Sequence, residues 1–367
     1  MHVPYNYLPF QFADPEPFIA EWRELIASGE FTLGPWVENF EKKFADYVGM
    51  KHCVSTNNGT DALILALKAA GIGPGDEAIT VANTFYATVG AIVAAGAKPV
   101  FVDCDDRFQI DANLIEAAIT PRTKAVLPVH WGGASPDMKR IVAIANSRNL
   151  AVIEDACPAV GAHVNGKHAG SFGKVNAFSM HPLKPLNVMG DGGLVVTNDD
   201  ALAAWMGKYR NHGMIDRDHI EFWGVNMRLQ PLQAVVASRV LDTVKDLVAV
   251  RNRNAAALDE GLAKLPEFVR LPVRPKGNIE AYQLYMACFA RRDELRNFLV
   301  AREIEAKVHY PVPLHLQPAA ASLGYKKGDF PNAEAQADQL ITLPNHQFLS
   351  LEQMQFIIDS IREFYET

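Results

Sequence analysis

Cysteine is scarce in this chain. Four thiols stand among 367 residues, at positions 53, 104, 157 and 288, and no two of them form a C-x-x-C pair. A chain of this length buries enough apolar surface to fold without staples, so a disulfide scaffold is not expected. Positive charge is also in short supply. The formal net charge is -7 and no basic stretch stands out, which argues against a general nucleic-acid or membrane-surface binder. A small anionic substrate stays compatible, because a local group of Arg and Lys can hold one. No apolar run approaches the roughly 18 residues of a membrane span. The opening MHVPYNYLPF lacks a charged stretch followed by an apolar core, so a signal peptide is not expected and the cytoplasm is the default location. Internal repeats and low-complexity tracts are missing too.

What is there reads as a globular protein. Hydrophobic residues make up 49% and charged residues 21%, and the length fits about two domains. Asp14-Pro15 predicts the start of a helix that ends near Gly29. Trp36, Phe40, Phe44 and Val48 share a face of a helix over 35–48. The pattern then alternates. Helices are expected over 61–70, 86–95 and 137–146, and strands over 77–81, 99–103, 124–129, 151–154, 175–179 and 193–197. Such alternation implies an α/β architecture with a mostly parallel sheet covered on both faces. From about residue 235 the texture changes to a long helix over 234–265, a Pro-rich region, a strand-like segment over 281–290, and helices over 293–302 and 351–365. The expected division is a large domain, 1–240, and a smaller α+β domain, 241–367.

In open α/β sheets, ligands gather at the carboxyl ends of strands. Asp155 follows the strand ending at Glu154. It is either a turn or capping residue or the partner of a cation, such as a protonated pyridine nitrogen. Lys184 follows the strand ending at Ser179 and precedes Gly190-Asp191-Gly192-Gly193. It is either a surface lysine of a glycine-rich loop or an amine able to form a Schiff base, which requires a depressed pKa. Gly59-Thr60-Asp61 opens a helix, where capping and phosphate binding by first-turn amides both use such residues. Phe85 and Tyr86 follow the 77–81 strand, in the core or stacked on a flat ligand.

Taken in order, GTDAL (59–63), TF (84–85), GAKPVFVD (96–103), EDA (154–156), S-x-x-x-x-K (179–184), GDGG (190–193), GVNMRL (224–229), HYPVPLHLQP (309–318) and LGY (323–325) resemble the DegT/DnrJ/EryC1/StrS family of sugar aminotransferases over nearly the whole chain. The resemblance implies the fold of aspartate aminotransferases (fold type I of the pyridoxal-phosphate enzymes), usually as a homodimer with sites at the interface. It implies that Lys184 links covalently to pyridoxal 5'-phosphate, which passes through pyridoxamine phosphate in the cycle. Asp155 would pair with the pyridine nitrogen and Phe85 stack on the ring. Gly59, Thr60 and Ser179 would hold the phosphate, with Asn226 reaching in from the partner subunit, and His309, Tyr310 and His315 would lie near the sugar. The reaction implied is amino transfer from glutamate to a keto-sugar, nucleotide-linked, with the GDGG and NTF runs more like 3-keto than 4-keto members. No metal is implied.

The chain departs from the family pattern at three places. Pro158 stands where E-D-A-A-Q has Gln, and proline cannot donate a bond. Either another group does that work or the cofactor is held differently. Pro185 follows Lys184, where Asn is frequent, and Gln283 replaces a frequent His. Two other functions are open to this fold. Sugar dehydratases of the same fold carry His in place of the lysine, whereas here the position is Lys184 with His181 three residues away. A non-catalytic cofactor-binding regulator of DNA would need a basic or helix-turn-helix segment, and the sequence shows none.

Overall fold

The computed structural model describes residues 1–366. A short helical turn, α1 (Leu8–Gln11), leads into α2 (Glu16–Ser28) and α3 (Pro35–Val48). Helix α2 starts one residue later than Asp14-Pro15 implied. Pro15 takes the cap position, and Asp14 accepts the Glu16 amide at 3.2 Å. Gly29, at φ 70°, ends it, as glycine does where a left-handed residue must close a helix.

The large layer is a sheet built from β1 (His52–Thr56), β2 (Glu77–Val81), β3 (Lys98–Val102), β4 (Thr123–Val126), β5 (Ala151–Val152), β8 (Val175–Ser179) and β9 (Gly193–Thr197), with a short ribbon, β6 (His163–Val164) and β7 (Lys167–His168), between β5 and β8. Strands β3-β2-β4-β5 are parallel. Parallel bridges from Asp155 to Val129 and Ala177 carry the layer across to β8. Beyond it, β9 runs antiparallel to both β8 and β1. The sheet is therefore mostly parallel, with one reversed strand. Every residue of β2, β8 and β9 is buried, as a layer covered on both faces requires. The covering helices include α4 (Gly59–Ala69), α5 (Tyr86–Ala94), α6 (Met138–Ser147) and α7 (Asp200–Tyr209).

Helix α8 (Pro231–Leu262) is roughly 48 Å long at 1.5 Å per residue. It begins three residues before the expected start because Pro231 fits the first helical position, where its missing N–H costs nothing, and Gln230 and Gln233 cap it reciprocally. Its first part packs with α2 and α3, down to Val248. From Ala255 its buried residues join a separate core. That core is made with the antiparallel sheet β10 (Val269–Arg270), β12 (Tyr285–Phe289) and β13 (Leu340–Leu343) and with α9 (Arg292–Ala301) and α11 (Leu351–Glu366). Strand β11 (Asn278–Ile279) pairs back onto β6, and α10 (Pro331–Gln339) precedes β13. Val3 also enters this core and bridges Ile304, so the chain's start is tied to its C-terminal part. No helix among the described residues is long and apolar enough to cross a membrane.

Candidate active site

Three strand ends converge. Asp155 continues β5, Ser179 ends β8, and α4 starts just after β1. Asn58 caps α4, its Oδ1 accepting the Asp61 amide at 2.8 Å. The helix thus begins at Gly59, earlier than the expected 61, and the amides of Gly59 and Thr60 fall in the first turn, where no intrahelical carbonyl is available. Gly59 is needed for space. A Cβ there would stand 2.6 Å from Ser179 Cβ and 3.0 Å from its hydroxyl oxygen. Gly193, in the GDGG run, has the same role toward the other side, because a Cβ would stand 2.1 Å from the Asn58 carbonyl oxygen. The two glycines let α4 sit directly on β8 and β9.

Asp155 is buried at 4% exposure. Its Oδ2 accepts the Thr88 hydroxyl at 2.8 Å and its Oδ1 the Cys157 amide at 3.2 Å. Among the described residues no Arg or Lys pairs with it. Its neighbour Glu154 faces other partners. Glu154 accepts the amides of Gly170, Phe172 and Gly173 at 2.6–2.8 Å and pairs with His130 Nε2 at 2.8 Å. In the EDA motif one carboxylate therefore ties down a loop and the other is left for the site, following the strand's alternation of sides.

Lys184 stands near this carboxylate. Burial holds its amine below the ordinary lysine value, while Cys157 and Asp155 pull it upward. Its backbone is fixed twice at the carbonyl, by the Tyr7 hydroxyl at 3.0 Å and by Asn187 Nδ2 at 3.2 Å. Pro185 is buried, continuing that fixed geometry. Cys157, beside Gly59, is the thiol closest to the chemistry. Burial, and then the Asp155 charge, push it well above the ordinary thiol range, so it is a neutral S–H in this cluster. Pro158 follows it, buried, in the place of the family's Gln.

Phe85 caps α5, three residues before Thr88, and is 40% exposed. Its ring lies 4.1 Å from that of Tyr86 and 5.9 Å from that of Tyr310, which also packs on Trp131 at 5.6 Å. His309 bonds Thr342 at 3.1 Å. Burial, then the Lys307 and Lys184 charges, bring it down to about 4. His315 is 2% exposed, and its Nε2 meets Glu334 at 3.0 Å while its Nδ1 has no partner. Asn226 is exposed, and its Oδ1 accepts Arg228 Nε at 3.0 Å. It makes no hydrogen bond to the Lys184 group within the chain. Thr88 and Cys157 were not anticipated from sequence. Thr88 had a signal, the three-residue spacing from Phe85 on one helical face. Cys157 had none beyond its adjacency to the EDA motif.

The donor set fits pyridoxal phosphate. A buried carboxylate with no cation of its own is costly unless a charge is brought to it, and a protonated pyridine nitrogen is such a charge. Near it lies an amine whose pKa burial lowers. First-turn amides and the Ser179 hydroxyl form a cradle that a single methyl at Gly59 would fill, as a bound phosphate requires.

The family model of the DegT/DnrJ/EryC1/StrS aminotransferases matches residues 13–362. A pleiotropic regulatory protein of Geobacillus stearothermophilus is 42% identical, covering 100% of this chain and 99% of its own. The dTDP-3-amino-3,4,6-trideoxy-alpha-D-glucose transaminase of Streptomyces venezuelae is 41% identical over 93% of this chain and 90% of its own. The crystal structure of S. venezuelae DesV, in complex with a ketimine intermediate, superposes with a TM-score of 0.97 at 40% identity over 100% of this chain and 99% of that one. Matched from residue 13 to residue 362 by sequence and end to end by fold, the chain belongs to the DegT/DnrJ/EryC1/StrS aminotransferase family.

Proposed function

We propose that this chain transfers an amino group from glutamate to a nucleotide-linked keto-sugar, with the ketone at C3, in the making of an amino sugar. The observation that carries the reading is the buried Asp155 carboxylate, with no Arg or Lys in salt-bridge contact among the described residues, near the Lys184 amine, whose pKa burial lowers. Pyridoxal phosphate supplies an electron sink when bound. The chain's residues supply the rest. Asp155 holds the ring nitrogen protonated. The Gly59 and Thr60 amides and Ser179 anchor the phosphate, and Phe85 covers one face. Lys184 Nζ, its pKa lowered by burial, is the group placed to take a proton from the donor's α-carbon and return one to the acceptor carbon. His309, whose ring feels the Lys184 charge, and Tyr310, packed against Phe85 and His309, receive the sugar, together with His315. The C3 preference draws on the 3-amino sugar in the name of the Streptomyces relative.

The assembly proposed is a homodimer. Over 215–225 the chain exposes Ile215 at 60%, Ile220 at 46%, Trp223 at 87% and Val225 at 36%. A tryptophan so exposed among other apolar side chains marks a surface that another chain covers. Asn226 directly follows this segment, which supports its delivery to the partner's phosphate cradle. Trp223→Glu should turn dimer into monomer in sedimentation, and cofactor affinity should fall with it. A dimer unchanged by Trp223→Glu rejects this interface. The cytoplasm is the location proposed, and 240/241, within α8, the boundary of the two domains.

The test of the chemistry is the visible spectrum of the purified protein with pyridoxal phosphate. A band near the blue edge that glutamate bleaches, and that Lys184→Ala lacks, is expected. Turnover with a 3-keto nucleotide sugar should fall by at least about a thousandfold in Lys184→Ala, since nucleophile and proton carrier are lost together. A second reading, a cofactor-binding regulator, is kept for one reason, the name of the Geobacillus relative. It predicts a band that glutamate leaves unchanged and tight binding to DNA.

A further inference from the structure

Arg251, on α8, is 1% exposed and heads the largest fully buried side chains. Its bonds go to neutral groups. Nη1 donates to the Tyr282 carbonyl at 3.0 Å and Nη2 to Gln347 Oε1 at 3.3 Å, and the guanidinium lies over the Tyr7 ring at 5.0 Å. Its Nε has no partner. The carboxylates of this region are committed elsewhere. Asp259 and Glu280 pair with Arg274, and Glu305 accepts the Tyr5 amide and meets His2. A buried guanidinium without a counter-charge is expensive.

A small, partly open cavity of about 10 Å³ adjoins it, walled by Arg251, Tyr5, Tyr7, Leu183, Gln283 and Asn345. Two unpartnered donors belong to these walls, Arg251 Nε and the Tyr5 hydroxyl. Lys307 adds positive charge, its amine 4.4 Å from the centre of the Tyr5 ring. His346, also on the wall, is held down to about 4 by burial and in part by Arg251 itself, so it stays neutral and adds no charge. Asn345 Oδ1, the third unpartnered atom, is an acceptor, which a water would satisfy and an anion would not. The unbalanced charge is the larger effect, because an uncompensated buried ion outweighs one unmade neutral bond.

We infer that this cavity binds one small monovalent anion, chloride in ordinary surroundings, as the counter-ion of Arg251. The site bears on the Lys184 loop. Leu183 is part of its wall, and Tyr7, stacked on Arg251, donates to the Lys184 carbonyl. An anion that fixes Arg251 therefore also steadies Tyr7 and the backbone of the lysine.

The test is thermal unfolding of the cofactor-loaded enzyme at constant ionic strength, with chloride exchanged for gluconate, which is too large for the cavity. The midpoint is expected to rise with chloride and saturate. Crystals grown in bromide are expected to show an anomalous peak between Arg251 and Tyr5. Tyr5→Phe, which removes one donor and keeps the guanidinium, should weaken halide affinity at least about tenfold, as the loss of a bond to a charged partner does. A midpoint indifferent to chloride, with a water and no anomalous signal in the cavity, overturns the inference. So does a bromide peak without a saturable shift, which means binding at crystal concentration only.

Discussion

Asp155 has more lone pairs than the chain fills. An ionised carboxylate offers about four acceptor directions, and two are taken, by the Thr88 hydroxyl and the Cys157 amide. What remains is aimed by those two bonds, so Thr88 sets the direction of a group it does not itself replace. Thr88→Val keeps the shape and removes the hydroxyl. A lost hydrogen bond to a charged group costs about 1.5–3 kcal/mol, so kcat/KM is expected to fall about ten- to hundredfold. The pH at which the cofactor's visible band changes should move as well. Thr88→Ser should restore both, and a shift that Ser does not restore would mean that packing rather than the bond is responsible. The contrast with Asp155 says what was legible at this scale. A carboxylate just past a strand end can be found from sequence, because strand ends have a known place in the fold. The hydroxyl that orients it comes from a different helix, 67 positions away in sequence, and only its spacing from Phe85 hinted at it.

Elements were legible where composition and packing agree. Strand β2 and helix α3 fall where hydrophobic patterning put them. Strand β5 covers only 151–152 against an expected 151–154, because the chain leaves the regular ladder there and Asp155 bridges two neighbours at once. Strand β1, helix α7 and strand β13 were not among the expected elements, and the two strands are defined by pairing with β9 and β12, far along the chain. The same division governs glycines within helices. Gly207, inside α7, has nothing within 4 Å of where a Cβ would stand, whereas Gly261, inside α8, would place its Cβ 2.7 Å from Ile358 of α11. Gly207→Ala is expected to stabilise the protein by about 1 kcal/mol through helix propensity, a rise of about 1 °C in the unfolding midpoint for a chain of this size. Gly261→Ala is expected to destabilise by about 1–3 kcal/mol, because the α8–α11 seam must open. Thermal melts of the two variants side by side measure both. Gly59→Ala is a third case. The methyl would press on Ser179 where α4 meets β8, so both the cofactor-free melting point and cofactor affinity should fall, the affinity more than Gly261→Ala lowers it.

At the scale of the whole molecule, the buried histidines tie folding to pH. Burial, above all, brings His168 down to about 3 and His309 and His346 to about 4, from an ordinary 6.5. His168 shows why. Its Nε2 accepts the Gly161 amide at 2.9 Å, and its Nδ1–H meets the Ala169 carbonyl, an arrangement that only the neutral ring can make. The unfolded chain therefore binds more protons than the folded one between about pH 6.5 and the folded values. Stability rises with pH across that window and is lost as pH falls through it. Each histidine contributes a slope of at most about 1.4 kcal/mol per pH unit, so the three together give at most about 4 kcal/mol per unit near pH 5. Glu77, Glu305 and Glu334, whose folded values are lowered, add their loss only below their ordinary 4.5. Asp105 and Glu280, raised by burial, pull the other way. Between pH 6.5 and 5 the histidines set the fall in stability, offset in part by Asp105 and Glu280. Urea unfolding of the cofactor-free protein at pH 7, 6 and 5 should show a steep loss. His168→Gln, whose amide can still accept from Gly161 and donate to Ala169, should flatten that slope by about one third. Equal stability at pH 7 and pH 5 would mean that these rings carry charge in the folded chain, and the packing around His168, His309 and His346 would have to be looser than the bonds here require.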